Sequence, residues 1–259
     1  MATGGPGNRQ LEWEGCLNVR DLGGYPAADG RETAWGAVVR SDNLSPLTEA
    51  GREALRDHGI RSIIDLRMPE EAEQLPNPFA GPGDHGIAYT NVSFINPEVP
   101  PPDEFTTLAN DYAGMLDRFQ PEVSEIMRTV ARAPEGGVLV HCHAGKDRTG
   151  LVCALLLELV GVDRETTCAD YALSEECLRP LREESLPDEP GERAEREKEL
   201  SKYSPRAEVM MDVLERLDQG YGGAEPYLLH AGVSPQDITR LRERLLPQPS
   251  ASGGYGAVD

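Results

Sequence analysis

Basic side chains are scarce in this sequence. Its 259 residues include 25 Lys and Arg against 45 Asp and Glu, which gives a formal net charge of −20. Nucleic acids bind basic surfaces, so this balance argues against a nucleic-acid partner. The sequence also has no run of basic residues, which argues against strong affinity for an anionic membrane. We interpret the excess of acidic residues as favouring solubility.

Long apolar runs and regularly spaced ligand residues are absent as well. No stretch approaches the roughly 20 apolar residues of a membrane span, and the N-terminal MATGGPGNRQ lacks the apolar segment of a signal peptide. The five cysteines follow neither a disulfide framework nor a metal-ligand pattern. The sequence therefore predicts a cytoplasmic protein that needs no metal or other cofactor. The cysteines are Cys16, Cys142, Cys153, Cys168 and Cys177.

Short runs rich in Val and Ile alternate with segments of helical spacing. The order favours an α/β fold. Strands are expected at residues 34–40, 60–66, 87–94 and 138–140. Helices are expected at residues 45–58, 105–119, 123–133, 149–160, 163–173, 206–219, 225–230 and 235–246.

The length of the chain allows one large domain or two small ones. We expect a single domain over residues 12–246, because no linker interrupts the pattern. Residues 1–11 and 247–259 are polar and rich in Gly, which is typical of mobile tails. Residues 174–204 are too highly charged to belong to the core. This segment is either a solvated helical excursion or a lid.

The most informative stretch is residues 137–149, which read GVLVHCHAGKDRT. A buried strand, a Gly-containing loop and a helix are expected in that order. Five residues separate Cys142 from Arg148, so the loop can direct backbone amides and a guanidinium at one anion. A helix N-terminus and a neighbouring Arg favour the thiolate, which is a competent nucleophile toward phosphorus. Thr149 can donate its hydroxyl to that sulfur.

Residues 141–150, HCHAGKDRTG, resemble the Cys-x5-Arg-Thr signature of Cys-dependent phosphatases. The GKDRTG portion is similar to the branch that contains the bacterial tyrosine-phosphatase-B-like enzymes, which act on phosphotyrosine, on phosphoserine or phosphothreonine, and on phosphoinositides. The resemblance spans about residues 13–246. Its other stretches are NVRDLGG at 18–24, Arg40 and Ser41, IIDLR at 63–67 with Glu70 or Glu71, and YGGAEPYL at 221–228.

The fold that this resemblance and the element order imply is a central, mostly parallel sheet flanked by helices. A phosphatase-type Cys-x5-Arg loop joins a strand to a helix, and a helical lid insertion covers the site, as it does in the resembled enzymes. A movable cover would exclude water during the reaction.

The resemblance also implies a role for each residue of the loop. Cys142 is the expected nucleophile, and it forms a cysteinyl-phosphate intermediate without a metal. Lys146 either meets a second phosphate, since this lysine is associated with phosphoinositide activity in the resembled enzymes, or is simply solvated. Phosphate oxygens are expected to be bound by His143, Ala144, Gly145, Lys146, Asp147 and Arg148.

Two carboxylates compete for the role of general acid and base. Asp147 lies inside the loop, and Asp65 lies at the end of a predicted buried strand. The alternative roles are a salt bridge from Asp147 to Arg148, and an ion pair in which Asp65 orients Arg67. A movable Trp-Pro-Asp loop is absent. We rank Asp147 slightly ahead of Asp65.

Two further residues, His141 and Cys16, lie outside the loop. His141 precedes the nucleophile and is expected to bond the backbone around the loop, or to tune the thiolate. Cys16 is a weak candidate for a protective disulfide with Cys142.

Three functions remain open. The first is a protein tyrosine phosphatase with broad tolerance, whose partner is a phosphorylated protein. The second is a phosphatase of small phosphate esters such as nucleotides, sugar phosphates or inositol phosphates. The third is a non-catalytic module that holds phosphate or another oxyanion in the loop.

Overall fold

The computed structural model describes residues 8–81, 86–101 and 106–246. The predicted C-terminal tail and residues 1–7 of the predicted N-terminal tail lie outside the described residues. The chain already makes contacts at Arg9, whose guanidinium donates to the carbonyls of Gly23 and Gly24. The amide of Leu11 donates to the carbonyl of Val19 over 3.0 Å.

Within the described ranges, five strands form one sheet in the order β1-β2-β5-β3-β4. The pairs β2–β5, β5–β3 and β3–β4 are parallel, and only β1 is antiparallel to its neighbour. The prediction of a mostly parallel sheet is therefore confirmed. The strands are β1 (Arg20–Asp21), β2 (Val38–Ser41), β3 (Ile60–Asp65), β4 (Ala88–Asn91) and β5 (Gly137–His141).

Helices cover both faces of this sheet. They are α1 (Glu49–Asp57), α2 (Pro69–Gln74), α3 (Leu108–Arg118), α4 (Gln120–Arg132), α5 (Asp147–Leu159), α6 (Arg164–Cys177), α7 (Arg179–Glu184), α8 (Pro190–Ser201), α9 (Ala207–Tyr221), α10 (Ala224–His230) and α11 (Pro235–Leu245). None of the helices in the described ranges is long and apolar enough to cross a membrane.

The alternation of side chains along the strands creates two cores. Val138 and Val140 of β5 face the larger core, which α3, α4, α5 and α9 help to fill. Leu139 faces the smaller core, where it joins Ile63 of β3 and Leu55 of α1. Because β5 is buried on both faces, it reads as an uninterrupted apolar run in the sequence.

The register brings the carboxyl ends of three strands to one edge. His141 at the end of β5 pairs with Ser41 of β2 and with Asp65 of β3. Parallel strands present their carboxyl ends together, and ligands of open α/β sheets bind outside these ends. The segments that follow β2, β3 and β5 therefore meet at this edge.

The structure differs from the sequence-based prediction around α1 and α2. The helix predicted from residue 45 begins after Thr48, because the Thr48 side chain accepts from the amide of Gly51. The Ser45 hydroxyl instead donates to the side chain of Asn43 and to the carbonyl of Leu75. Helix α2 was not predicted, since its six residues include none that is buried and so show no apolar period.

The charged segment at residues 174–204 is helical. It contains the end of α6 and the whole of α7 and α8, and neither α7 nor α8 has a buried residue. The segment therefore lies outside the two cores, as its charge predicts.

Candidate active site

The loop between β5 and α5 holds Cys142, which is only 2% exposed. Gly145 has φ +65, and a Cβ at this position would lie 2.4 Å from the carbonyl oxygen of Ser41. Any other side chain would therefore strain the backbone and collide with the end of β2. This close approach explains the glycine in the middle of the loop.

Three successive carbonyls of this loop accept hydrogen bonds from residues outside the loop. The carbonyl of His143 accepts from the Asn43 amide (2.8 Å), that of Ala144 from Asn18 Nδ2 (2.9 Å), and that of Gly145 from an Arg40 Nη (2.7 Å).

The backbone amides of the same loop are left for a ligand. In the described part of the chain, the N–H groups of residues 143–148 donate to no carbonyl or side chain. Because the loop carbonyls point toward Asn43, Asn18 and Arg40, the N–H groups point to the opposite side of the loop. There they can bind one anion at the N-terminus of α5.

A buried ion network stabilises this arrangement. Asp170 of α6 accepts from Arg20 Nε at 2.8 Å and from an Arg40 Nη at 2.5 Å, and these side chains are 1% exposed. Burial alone would raise the pKa of Asp170, but the two guanidinium groups lower it to about 2. Asp170 thus fixes Arg40, which in turn holds the carbonyl of Gly145.

Replacing Asp170 with Asn is expected to lower the free energy of unfolding by about 3–5 kcal/mol, because the two buried guanidinium groups lose their counter-charge. The depressed pKa means that the ionised Asp170 stabilises the fold above about pH 4, and that this contribution is lost as the pH falls toward about 2. Urea denaturation at neutral and at acidic pH measures both effects. Asp212→Asn, at an exposed position of α9, is the control. Equal stability of the two variants would contradict the expectation.

Arg148 is held by Glu71. Its two Nη atoms lie 2.5 and 2.9 Å from the Glu71 carboxylate oxygens, and the Glu71 carboxylate also accepts from the amide of Met68 at the start of α2. The sequence left Glu70 and Glu71 as alternatives, and the structure places Glu71 against Arg148 while Glu70 is exposed.

The surroundings of Arg148 favour its charged form. Burial alone would lower the pKa of its guanidinium, but the hydrogen bonds that it donates to Glu71 and its electrostatic interactions with Cys142, Glu71 and Asp147 raise it above its usual range. A guanidinium has five N–H donors. The pairing with Glu71 uses one on each Nη, so the others, including Nε–H, remain for an oxyanion.

Replacing Glu71 with Gln is expected to lower kcat/KM by about tenfold, the effect of losing about 1.4 kcal/mol of transition-state stabilisation. The amide retains the shape of the side chain but loses the charge that orients Arg148. Steady-state kinetics with para-nitrophenyl phosphate measure the loss. Glu70→Gln on the same helix is the matched control, and an equal loss in both variants would refute the role of Glu71.

Asp65 and Arg67 are both fully buried. Arg67 donates to both oxygens of Asp65, to the carbonyl of Leu75 after α2, and to the side chain of Asn43. Burial opposes ionisation of Asp65, but the Arg67 hydrogen bonds outweigh it and lower the pKa of this carboxyl. The pair connects the end of β3 to the segments that carry Glu71 and support the loop.

Asp147, by contrast, is 35% exposed at the mouth of the loop. The hydroxyl of Tyr112 on α3 donates to its carboxylate, and Tyr171 lies 2.9 Å from the Tyr112 oxygen. Lys146 Nζ is 3.4 Å from the same carboxylate and donates to the carbonyl of Tyr203 over 2.8 Å. Asp147 is therefore oriented and partly open to solvent, whereas Asp65 is fully buried against Arg67.

Three further predicted residues lie close to the nucleophile or its support. His141 Nδ1 is 3.0 Å from the carbonyl oxygen of Cys142. The buried Thr149 hydroxyl makes no hydrogen bond within the described ranges, so the predicted bond to the sulfur is not formed. Cys16 donates to the carbonyl of Asn43 over 3.5 Å, and burial raises the pKa of its thiol, which disfavours the thiolate needed for disulfide exchange.

Sequence reasoning missed several supporting residues. Tyr112 looks like an ordinary apolar position of α3, and Asp170 like one polar residue in an amphipathic helix. Asn77 lies in a short Pro-rich segment without periodicity. Only Glu71 had a local signal, because it stands three residues after Met68, where a carboxylate can cap a helix start.

The comparisons with known proteins agree with this geometry. The model of the tyrosine phosphatase family matches residues 11–247. A tyrosine-protein phosphatase of Nostoc commune is 36% identical over 222 residues, which cover 81% of this chain and 74% of the relative. The triple specificity protein phosphatase PtpB of Mycobacterium tuberculosis is 30% identical over 275 aligned positions, which cover 89% of this chain and 100% of the relative. The loop geometry and these matches together show that the chain belongs to the tyrosine phosphatase family, whose members are phosphoric monoester hydrolases.

Proposed function

We propose that this chain hydrolyses phosphotyrosine in proteins, with tolerance for phosphoserine, phosphothreonine and phosphoinositides, through a cysteinyl-phosphate and without a metal. One observation carries the proposal most directly: the amides of residues 143–148, which follow Cys142 and lead into α5, have no acceptor in the described part of the chain, and Glu71 orients Arg148 at the end of this loop. The breadth is supported by the similarity to PtpB, which is a triple specificity protein phosphatase.

The reaction has two displacements at phosphorus. In the first, the Cys142 thiolate forms an S–P bond while the P–O bond to the leaving group breaks, and the leaving oxygen takes a proton from the general acid. In the second, water attacks the phosphocysteine, the same carboxylate takes a proton from that water, and the S–P bond breaks to release phosphate and the thiolate. The loop amides and Arg148 bind the equatorial oxygens, most tightly in the transition state.

We assign the general acid to Asp147. A general acid must reach the leaving oxygen and must carry a proton before the first displacement. Asp147 lies at the exposed mouth of the loop, whereas Asp65 is buried and ion-paired with Arg67, and its pKa is lowered. Asp65 is thus better suited to orient Arg67 as an ionised carboxylate than to donate a proton to the leaving group.

A substrate panel tests this function. Phosphate release is measured from tyrosine, serine and threonine phosphopeptides, phosphoinositides, nucleotides and sugar phosphates, all in EDTA. We expect the highest kcat/KM with phosphotyrosyl peptides. A preference for small metabolites would favour the alternative phosphatase function, and binding of orthovanadate without turnover of any substrate would favour a non-catalytic module.

We further propose that residues 174–204 act as a lid. Support comes from the hydrogen bond between Lys146 of the loop and the carbonyl of Tyr203. A cavity of about 230 Å³ also lies between Ala144 and Lys146 on one side and Leu178, Leu181 and Leu200 on the other. Amide hydrogen exchange tests the proposal, because orthovanadate in the loop should slow exchange in α7 and α8 if they close over the site. Unchanged exchange in both helices would favour a solvated excursion instead.

The domain boundaries and the location of the protein are also proposals. We propose that residues 12–246 form a single domain, since one sheet carries helices from throughout this range. We propose a cytoplasmic location on the basis of the unpatterned cysteines. Cell fractionation with an antibody to the native chain tests the second proposal, and recovery outside the cytoplasm would contradict it.

A further inference from the structure

Each ring nitrogen of His141 has a hydrogen-bond partner. Its Nδ1 lies 3.0 Å from the carbonyl oxygen of Cys142, and its Nε2 lies 3.0 Å from the side-chain amide of Asn77. A carbonyl oxygen can only accept a hydrogen bond. Nδ1 must therefore carry the proton.

The backbone orients the Asn77 amide. Its Oδ1 accepts from the amide of Phe79 over 3.0 Å, so the other end of the group is the NH₂. This end faces His141 Nε2 and can only donate. Nε2 must therefore be unprotonated, which agrees with the proton on Nδ1 and makes the ring neutral.

A nearby carboxylate would favour the other protonation state of the His141 ring. Asp65 Oδ2 lies 3.5 Å from His141 Nε2, while Arg67 and Arg148 also act on the buried ring. Without Asn77, a proton on Nε2 would gain from the Asp65 carboxylate. The amide donor of Asn77 occupies that position, and both Asn77 and His141 are buried, at 4% and 0% exposure.

We propose that Asn77 is a positioning residue, which holds His141 in the neutral Nδ1-protonated form and through it fixes the carbonyl of the nucleophile. The inference rests on the proposed function of Cys142 and extends it to a residue outside the loop. In histidine, the hydrogen bond at one ring nitrogen generally sets which nitrogen carries the proton. A chain of three hydrogen bonds thus connects the amide of Phe79, through Asn77 and His141, to the carbonyl of Cys142.

Nitrogen-15 NMR of the histidine rings in the intact protein tests the tautomer directly. The signal of His141 is identified by its loss in His141→Gln. We expect a protonated Nδ1 and a bare Nε2 between about pH 5 and 8. In Asn77→Asp the carboxylate replaces the donor with an acceptor, so both ring nitrogens are expected to be protonated in the same range.

Asn96 is the matched control, because it makes the same local hydrogen bond as Asn77 but is not a partner of His141. Asn96 accepts from the amide of Glu98 over 3.0 Å, the same local bond that Asn77 makes with Phe79, and Asn96→Asp should leave the His141 signal unchanged. A protonated Nε2 in the wild-type protein, or an unchanged His141 signal in a folded Asn77→Asp, would overturn the proposal. The wild-type spectrum decides the tautomer even if the variant does not fold.

Kinetics connect the tautomer to catalysis. Asn77→Ala is expected to lower kcat for para-nitrophenyl phosphate by about tenfold, on the scale of one supporting hydrogen bond, with KM little changed, because the loop amides that bind phosphate are untouched. An unchanged kcat would overturn the positioning role. If the wild-type protein had no phosphatase activity, the proposed function would be refuted. The NMR spectrum would still determine the tautomer of His141.

Discussion

Cys142→Ser is expected to abolish phosphate release, with a fall in kcat on the order of 10⁶-fold, the effect of removing a covalent nucleophile from a hydrolase. A serine hydroxyl at this position is not ionised near neutral pH, so the variant lacks the anionic nucleophile. The amides of residues 143–148 and Arg148 are unaffected, so the variant should still bind orthovanadate. Steady-state kinetics and calorimetric titration measure the two properties separately.

Cys153→Ser is the matched control for this prediction. Cys153 lies on α5, 1% exposed, and burial raises the pKa of its thiol to about 11. It is therefore a packing residue, and its replacement should lower stability rather than kcat. Turnover that survives in Cys142→Ser but fails in Cys153→Ser would reverse our assignment of the nucleophile.

Asp147→Asn is expected to cause a loss that depends on the leaving group. With phenyl phosphate, whose leaving oxygen needs a proton, kcat should fall by about 10²–10⁴-fold, the usual contribution of a general acid. With dinitrophenyl phosphate, whose leaving group is stable as an anion, the loss should be much smaller. Kinetics with a series of aryl phosphates of increasing leaving-group pKa measure this difference as a slope.

Asp65→Asn is the comparison that separates the two carboxylates. It removes the counter-charge of the buried Arg67, so it should lower the free energy of unfolding and reduce activity equally for all aryl phosphates. If the leaving-group dependence instead appeared in Asp65→Asn and was absent in Asp147→Asn, the general acid would be Asp65.

The sequence contained enough information to predict strands β2 to β5 and the loop, because their signals are local, whereas the two-residue strand β1 was not expected. The buried strand β5, the glycine at 145 and the apolar helix α5 each follow from consecutive residues. The five-residue spacing of Cys142 and Arg148 is likewise visible in the sequence. Physical constraints that act within one turn or strand leave such patterns.

The residues that support the loop could not be predicted, because their partners are far away in the chain. Asp170 binds Arg20, which is 150 residues earlier, and Arg148 binds Glu71, which is 77 residues earlier. Their contacts depend on how the sheet brings the carboxyl ends of its strands together. Nothing in the residues near Asp170 or Asn77 distinguishes them from ordinary polar positions.

Tertiary position also separates the two acidic candidates that the sequence left nearly equal. Asp147 directly precedes Arg148, and Asp65 stands two residues before Arg67, so the sequence suggests an ion pair for each. In the structure Arg67 turns back to Asp65, whereas Arg148 turns to Glu71 and leaves Asp147 with Tyr112 and Lys146. The partner of each arginine therefore determines which carboxyl remains accessible.

The most direct test of the central claim is to identify the residue that carries the phosphoryl group during turnover. The wild-type protein is mixed with para-nitrophenyl phosphate, quenched in acid within the first turnover, digested and analysed by mass spectrometry. We expect phosphate on the sulfur of Cys142 and none in Cys142→Ser. Phosphate on another residue, or steady turnover with Cys142 never modified, would contradict the proposed mechanism.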